Sequence, residues 1–319
     1  MHLLIPFASS SSEYARRTLR DLKLPHLDQL LARLTPAHLD SGSEDTLSPP
    51  HERALARLLG LSGPDGLIPW AAHQARQTWP TVPGDPEPAW GWVTPCRWQV
   101  GRDHIRMDPP QALALQESDS RALLAAMQPY FEEDGISLHY DQPGRWLARS
   151  ALFRDLATPS LDRVAGGDLD GWVPKSALAA PMRRRQNEMQ MLLYTHPLND
   201  ARAERGLPPV NSFWLSGTGA LGTSPVPSSG TELTVPRQLA DAAQREDWVA
   251  WGQAWQQLDA TECAALLAAS EQPGPPERAM LTLCGGRGAQ TFAAAPRSLW
   301  AKATSILGRQ PLSNRLDKL

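Results

Sequence analysis

The segment from residue 194 to 219 constrains the fold of this chain more than any other. It holds one His, two Asn, two Arg, three Pro and three Gly around a single short strand, many more than a simple connection needs. Proline fixes φ, and glycine readily adopts the left-handed backbone region. The pattern therefore predicts a short helical turn closed by Gly206, followed by a strand from Val210 to Leu215. Such a run is typical of a rigid junction or of a ligand-binding turn.

Length and charge exclude some classes of protein. A chain of 319 residues predicts either one large domain with an insertion or two domains. Hydrophobic residues make up 41% and charged residues 20%, as in a soluble globular protein. The net charge is −3 and no sustained basic tract occurs, so we expect no nucleic-acid partner.

Cysteine use and hydropathy bear on the compartment. The cysteines Cys96, Cys263 and Cys284 are widely spaced and odd in number, which argues against a disulfide framework or a zinc ribbon. The first residues lack a basic leader, and no stretch approaches the roughly 18 apolar residues of a membrane span. We therefore expect a cytoplasmic protein without a membrane partner.

The pattern of predicted helices and strands changes after a proline-rich run at residues 80–90. Residues 88–180 show a β-β-α-β-β rhythm, whereas the flanking parts alternate helices and strands. This predicts an N-terminal part of an α/β core at 1–87 and an α+β insertion domain at 88–180. Residues 181–319 are expected to supply a connecting helix, the 194–219 segment and the C-terminal part of the core.

The 194–219 segment resembles a motif of a known family. Its run His196-Pro197-Leu198-Asn199, with Arg202, Gly206, Pro209 and Asn211 following at fixed spacing, is similar to one in archaeal-type cofactor-independent phosphoglycerate mutases. Those enzymes belong to the alkaline-phosphatase superfamily and use two divalent metals. The resemblance implies an α/β fold with an alkaline-phosphatase-like core and a smaller α+β insertion domain.

Two further segments resemble parts of the same family. The run Leu24 to Leu30 is similar to a helix of the mutases, and Arg145 to Arg149 is similar to the insertion-domain strand that carries substrate-binding arginines. Ser48 begins a predicted helix at the place of the family's phosphate-accepting serine. The resemblance implies a catalytic role for Ser48, whereas an N-cap of the following helix also explains it.

The metal ligands of that family are missing from the matching positions. The first strand ends in Pro6-Phe7-Ala8-Ser9 in place of an Asp-Gly pair. A later strand ends in Leu283-Cys284-Gly285-Gly286-Arg287 in place of Gly-Asp-His, and no histidine follows His196. Two-metal phosphoryl transfer needs oxygen and imidazole ligands for both ions. The sequence therefore predicts that the two-metal site has been lost and that no cofactor is bound.

Arginines remain in this predicted site. Arg145 and Arg149 share one face of a strand, where they suit either an anion or solvent. Guanidinium groups bind phosphate and carboxylate bidentately, so Arg287 is a cation in the place of a metal ligand. The full set of predicted ligand-binding residues is Arg145, Arg149, His196, Asn199, Arg202, Asn211 and Arg287.

Three hypotheses follow for the function. The first is a pseudoenzyme related to phosphoglycerate mutases that binds a small anionic or phosphorylated ligand in a regulatory or reassigned role. The second is an active phosphomutase or phosphatase that uses Mn or Zn. The third is a scaffold whose tryptophan-rich surface meets a protein partner; Trp248, Trp251 and Trp255 share one helix face, although a buried face explains that spacing better.

Overall fold

The structure is a computed structural model that describes residues 1–79, 87–222, 232–272 and 278–294, with residues 316 and 319. Most of the predicted boundary run at 80–90 lies outside the described residues. The strands are β1 (His2–Ile5), β2 (Thr35–Ser41), β3 (Ala89–Cys96), β4 (Trp98–Val100), β5 (Ile105–Met107), β6 (Ser137–Gln142), β7 (Arg145–Arg149), β8 (Ser212–Ala220), β9 (Leu233–Thr234), β10 (Met280–Cys284) and β11 (Gly288–Ala293). The helices are α1 (Glu13–Asp21), α2 (Pro25–Arg33), α3 (Pro50–Leu58), α4 (Trp70–Thr78), α5 (Glu117–Glu133), α6 (Leu161–Val164), α7 (Ala180–Tyr194), α8 (Pro197–Glu204), α9 (Gln238–Gln244), α10 (Trp248–Leu258) and α11 (Ala264–Glu271).

These elements form a mixed α/β protein, in agreement with the predicted fold class at that level. The chain divides into two compact units. Unit 1 comprises Met1–Asp45, Pro49–Leu59 and Pro227–Leu319, and unit 2 comprises Thr46–Ser48 and Gly60–Val226. No helix within the described ranges has the length and apolar character needed to span a bilayer.

Unit 1 contains a five-stranded sheet in the order β2-β11-β10-β1-β9. Strand β1 runs parallel to β10 and β9, whereas β11 is antiparallel to β10 and to β2. The carboxyl ends of β1 and β10 therefore meet at one edge, which is where α/β sheets usually bind their ligands. Just past that edge, Phe7 adopts φ 54°, a conformation that a bulky side chain rarely takes.

Tryptophans on helix α10 hold this edge against the rest of unit 1. Trp251 and Trp255 are fully buried, and their rings meet edge to face at 6.2 Å. The indole of Trp251 donates to the carbonyl oxygen of Phe7 at 3.1 Å. The prediction that Trp248, Trp251 and Trp255 form a packed helix face is therefore confirmed, since Trp248 packs against the same core.

Unit 2 contains a four-stranded antiparallel sheet in the order β6-β7-β3-β8, with β4 and β5 forming a separate hairpin. Alternate residues of the sheet, including Trp146, Ala148 and Val93, point into a core shared with residues of α5 and α7. The indole of Trp146 donates to the hydroxyl of Ser120 in α5 at 2.9 Å. Helix α5 therefore lies on the face of the sheet that Trp146 occupies.

The units divide the chain differently from the predicted segments 1–87, 88–180 and 181–319. Strand β8 pairs with β3 from Ala89↔Ala220 to Cys96↔Ser212, so the segment 181–226 belongs to unit 2. Helix α4 packs on β3 and β8 and belongs to unit 2 as well. The physical reason is long-range strand pairing, which leaves no local signal in composition.

Candidate anion-binding site

The predicted arginines of strand β7 both lie on the face of the unit 2 sheet opposite α5. In a strand, successive side chains point to opposite faces. Trp146 and Ala148 occupy the core face, so Arg145 and Arg149 occupy the other. Strand β3 aligns Trp90 with Arg149 and Trp92 with Leu147, so both indoles share the arginine face. The strand register thus produces a surface of two arginines and two tryptophans.

Arg149 is the more accessible of the two arginines. Its side chain is exposed, and its guanidinium carbon lies 6.0 Å from the centre of the Trp90 ring. Within the described ranges, no carboxylate lies within ion-pair distance of Arg149. Among the described residues, no carboxylate therefore balances the charge of Arg149.

Trp90, the ring beside Arg149, belongs to a cluster of three aromatic rings. Trp79 stacks on Trp90 with ring centres 5.5 Å apart, and His139 lies 5.1 Å from Trp79 and 5.6 Å from Trp90. Burial, and then the positive charge of Arg149, lower the pKa of His139 below its usual range. The lowered pKa favours the uncharged form of His139 beside the guanidinium.

Arg145 is held more firmly by its neighbours. Its Nε donates to Asp141 at 2.9 Å, and its guanidinium carbon lies 4.8 Å from the centre of the Trp92 ring. Trp92 is fixed in turn by an indole hydrogen bond of 2.8 Å to Gln74 in α4. Since Asp141 balances the charge of Arg145, the net positive charge of this pair of arginines comes from Arg149.

The 194–211 segment forms a junction whose predicted ligand residues all have protein partners. His196 caps α8 by accepting from the N–H of Leu198 through Nδ1 at 3.2 Å. The amide of Asn199 exchanges two hydrogen bonds with the main chain of Val210, and Asn211 does the same with Trp98. These contacts serve the rigid junction, and ligand binding by these three residues stays a prediction.

Arg202 is the centre of that junction. It is fully buried, and its guanidinium donates to Asp119 at 3.0 Å and to the carbonyl oxygens of Leu113 and Pro208. Asp119 belongs to α5, next to the Ser120 that binds Trp146. Arg202 therefore lies on the α5 side of the sheet, whereas Arg145 and Arg149 lie on the other side. The structure does not bring the two groups of predicted ligand residues together.

Ser48 lies before α3, and the predicted N-cap role is wrong. The N-cap residue is Pro49, and the Ser48 hydroxyl accepts the N–H of Gly66 at 2.9 Å instead. The main-chain N–H of Ser48 donates to Asp65 at 2.8 Å, which pins the residue in a buried turn. Its predicted catalytic role stays a prediction.

Arg287 lies at the carboxyl edge of the unit 1 sheet. The glycine-rich run around it forms the turn of the β10–β11 hairpin, and its side chain is exposed. Arg287 belongs to unit 1, whereas Arg145 and Arg149 belong to unit 2, and ligand binding by Arg287 stays a prediction.

The sequence pattern predicts strands around Trp90 and His139 but identifies neither of them, nor Trp79, as a site residue. The alternation of residues in each strand predicts that Trp90 and Trp92 share one face of β3. It likewise predicts that Ser137 and His139 share one face of β6. Alternation alone does not reveal that β7 pairs with both strands, with Arg149 opposite Trp90 and Ser137. The pairing of β7 with β3 and β6 therefore determines the neighbours of Arg149.

Comparisons with known proteins gave only distant structural similarity. The sequence matches no family model and no curated protein. Among solved structures, the chain is similar to the PH0037 protein from Pyrococcus horikoshii, with 11% identity and a TM-score of 0.41 over 92% of this chain and 86% of that one. It is also similar to a cofactor-independent phosphoglycerate mutase from Thermoplasma acidophilum DSM 1728, with 11% identity and a TM-score of 0.37 over 93% and 90% of the two chains.

Proposed function

We propose that this protein binds a small anionic ligand, carrying a phosphate or carboxylate group, at Arg149 on the face of the unit 2 sheet opposite α5. The observation that carries the proposal is an exposed guanidinium without a carboxylate partner in the described ranges, beside the indole of Trp90. An arginine offers two parallel donors that match the oxygens of either group.

The surroundings of Arg149 favour an anion over a solvated surface charge. Trp90 is almost fully buried beneath the guanidinium, so one side of the cation faces a ring instead of water. Arg145 lies four residues away on the same strand face and is oriented by Asp141 and Trp92. A ligand oxygen at Arg149 therefore meets a cation that has already lost part of its hydration, which strengthens the interaction.

The role we propose is regulatory or reassigned, in a phosphoglycerate-mutase-like protein that has lost two-metal catalysis. Support comes from the residues after β1 and β10: Phe7, Ala8 and Ser9 in one place, and Gly285, Gly286 and Arg287 in the other. None of these six side chains is a carboxylate or imidazole, the groups that hold such ions. Under this proposal unit 1 corresponds to an alkaline-phosphatase-like core and unit 2 to its insertion.

A thermal melting experiment separates this proposal from a metal-dependent enzyme. The melting temperature is measured with 3-phosphoglycerate in EDTA and again with Mn²⁺, using the full chain. A ligand at about 100 times its Kd adds about 2.7 kcal/mol of stability, an easily visible shift. Stabilisation in EDTA is the expected result. Stabilisation that needs Mn²⁺, together with mutase or phosphatase turnover, would replace our proposal by the enzyme hypothesis.

Inorganic phosphate and acetate extend the same experiment to the ligand class. A shift with either ion in EDTA supports a site for that group without commitment to a sugar-acid body. If none of the three anions raises the melting temperature, the proposal is contradicted and the scaffold hypothesis, with a protein partner, is favoured instead.

A further inference from the structure

Trp79, directly after helix α4, differs from the other tryptophans of unit 2. Its side chain is 40% exposed, whereas every other tryptophan in the described ranges is buried or half-buried. The indole is nonetheless ordered by a stack on Trp90, with 12° between the ring planes and 5.5 Å between their centres. A flat ring that is held in place and still exposed offers apolar surface on which another ring can stack.

Elements distant in sequence fix the orientation of this ring. Trp90 is 5% exposed in strand β3, against which α4 packs. His139 of β6 contacts both indoles, at 52° to the plane of Trp79 and 55° to that of Trp90. Because the cluster already holds Trp79, a ligand that stacks on it would pay little entropy for ordering the side chain.

Trp90 also links the exposed indole to the charge of Arg149. The centre of the Trp79 ring lies 5.5 Å, and the guanidinium carbon of Arg149 lies 6.0 Å, from the centre of the Trp90 ring. One ligand of the size of a nucleotide can therefore reach both groups. The charge of Arg149 is not balanced by a carboxylate among the described residues, so the complementary group at that end is an anion.

We propose that the ligand of this face is an aromatic anion of the class of nucleoside monophosphates, whose ring stacks on Trp79 while its phosphate pairs with Arg149. The inference rests on the proposed function, because it takes anion binding by Arg149 as given and adds the ring. Stacking on aromatic side chains is a general way in which proteins bind bases. His139, whose Nε2 lies 3.3 Å from the hydroxyl of Ser137, places polar atoms beside the indole and favours a heteroaromatic ring over a hydrocarbon ring.

Three probes separate the ring from the phosphate in calorimetric titrations of the full chain in EDTA. AMP carries both groups, ribose 5-phosphate lacks the base, and adenosine lacks the phosphate. We expect AMP to bind about tenfold or more tightly than ribose 5-phosphate, as stacking of one base predicts. Adenosine should also bind more weakly than AMP, because it has no charge for Arg149.

Variants of Trp79 assign the preference for AMP to its indole. Trp79→Leu should lower the affinity for AMP to that for ribose 5-phosphate and leave the affinity for ribose 5-phosphate unchanged. Trp79→Phe keeps a smaller ring on Trp90 and should retain part of the preference, and it serves as the test if Trp79→Leu does not fold. The control is Tyr194→Leu, which removes an 87% exposed ring from α7 and should change neither affinity.

The outcomes distinguish the ring from the anion site. Equal affinities of the parent protein for AMP and ribose 5-phosphate overturn the inference and leave anion binding by Arg149 standing. A preference for AMP that is undiminished in both Trp79 variants also overturns it, because the base would then bind elsewhere. If none of the three probes binds, or if Arg149→Gln does not weaken ribose 5-phosphate, the proposed function fails and the inference fails with it.

Discussion

Arginine serves two different purposes in unit 2, and the difference lies in what surrounds each guanidinium. Arg202 has no exposed surface and gives its donors to Asp119 and two carbonyl oxygens. Arg149 is exposed and lies beside the Trp90 ring, which in turn contacts His139. Both residues were predicted as ligand contacts, because sequence shows residue type and spacing but not burial. Only the structure shows which cation has its charge balanced.

Breaking the Arg202 contacts should destabilise the protein strongly. Arg202→Ala removes a buried partner of Asp119 and leaves the carbonyl oxygens of Leu113 and Pro208 without their donor, at a cost of about 3 kcal/mol or more. Arg205→Ala is the control: Arg205 also bonds Asp119 but is 45% exposed, so its loss should cost under about 1 kcal/mol. Urea unfolding measures both, and equal effects would contradict a structural role for Arg202.

His2 should make the stability of unit 1 depend on pH. Burial, and then the positive charge of the amino terminus, lower its pKa from 6.5 to about 4, and its ring bonds Thr282 at 2.8 Å. In the unfolded chain His2 binds a proton below pH 6.5, whereas in the folded chain it binds one only below about pH 4. The contribution of His2 to the free energy of unfolding is thus fully present above pH 6.5. The free energy of unfolding falls by about 3 kcal/mol as the pH drops to 4.

The matching variant is His2→Gln, which keeps a side-chain donor for Thr282. Urea unfolding between pH 7 and pH 4 should show a smaller loss of stability in this variant than in the parent protein. Parallel losses in the two proteins would show that other groups control the acid sensitivity.

At the scale of elements, local patterns predicted helices and strands well where neighbours in sequence decide the outcome. The heptad-like spacing of Trp248, Trp251 and Trp255 predicted a packed helix, and the alternation at 145–149 predicted strand β7. The end of β8 was missed: the predicted strand stopped at Leu215, yet β8 continues to Ala220 through two glycines. Gly219 pairs with Trp90 of β3, and Gly217 lies in the irregularity between the partners of Trp90 and Trp92, so the strand continues through a partner that is distant in sequence.

Gly217 in β8 should be intolerant of a side chain. It has φ 62°, and a Cβ there would lie 2.8 Å from the Trp92 ring. Gly206 after α8 has a similar φ of 69° but nothing within 4 Å of its Cβ position, so it isolates the cost of the backbone conformation. We expect Gly206→Ala to cost about 1 kcal/mol and Gly217→Ala to cost about 1–3 kcal/mol more.

Chemical unfolding measures the stability of the Gly206→Ala and Gly217→Ala variants, and tryptophan fluorescence measures the environment of their indoles. Gly217→Ala should also change the emission of Trp92 and weaken its hydrogen bond to Gln74, whereas Gly206→Ala should leave the emission unchanged. Equal losses of stability, without an emission change in either variant, would contradict the close approach of β8 to Trp92.

At the scale of the whole molecule, composition predicted the class of fold but not the assignment of segments to the two units. The α/β character follows from the order of local elements. The membership of 181–226 in unit 2 depends on β8 pairing with β3, more than 100 residues earlier. The site around Arg149 was predicted for its arginines, whereas Trp79, Trp90 and His139 come from segments separated in sequence and joined by the sheet and by ring contacts.

The three cysteines report on the folding of the whole chain. Cys96 and Cys284 are fully buried, and burial raises their thiol pKa well above the usual range. Burial, then Asp259 and Glu262, raise the pKa of Cys263 to about 12. Since the thiolate is the reactive form, an aromatic disulfide reagent at pH 8 should modify none of them before unfolding and all three in denaturant. A thiol that reacts rapidly in the native protein would contradict this packing.

The central claim is that Arg149 binds an anion without a metal, and calorimetry in EDTA tests it most directly. Titrations of 3-phosphoglycerate, phosphate and acetate compare the parent protein with Arg149→Gln and with the control Arg154→Gln. Arg154 is a second exposed arginine, and its described hydrogen bond goes to the carbonyl oxygen of Glu87. We predict that Arg149→Gln weakens binding by about 10- to 100-fold, as expected for a charge-assisted hydrogen bond, whereas Arg154→Gln leaves it unchanged. Equal affinities in all three proteins, or no binding to the parent, would contradict the claim.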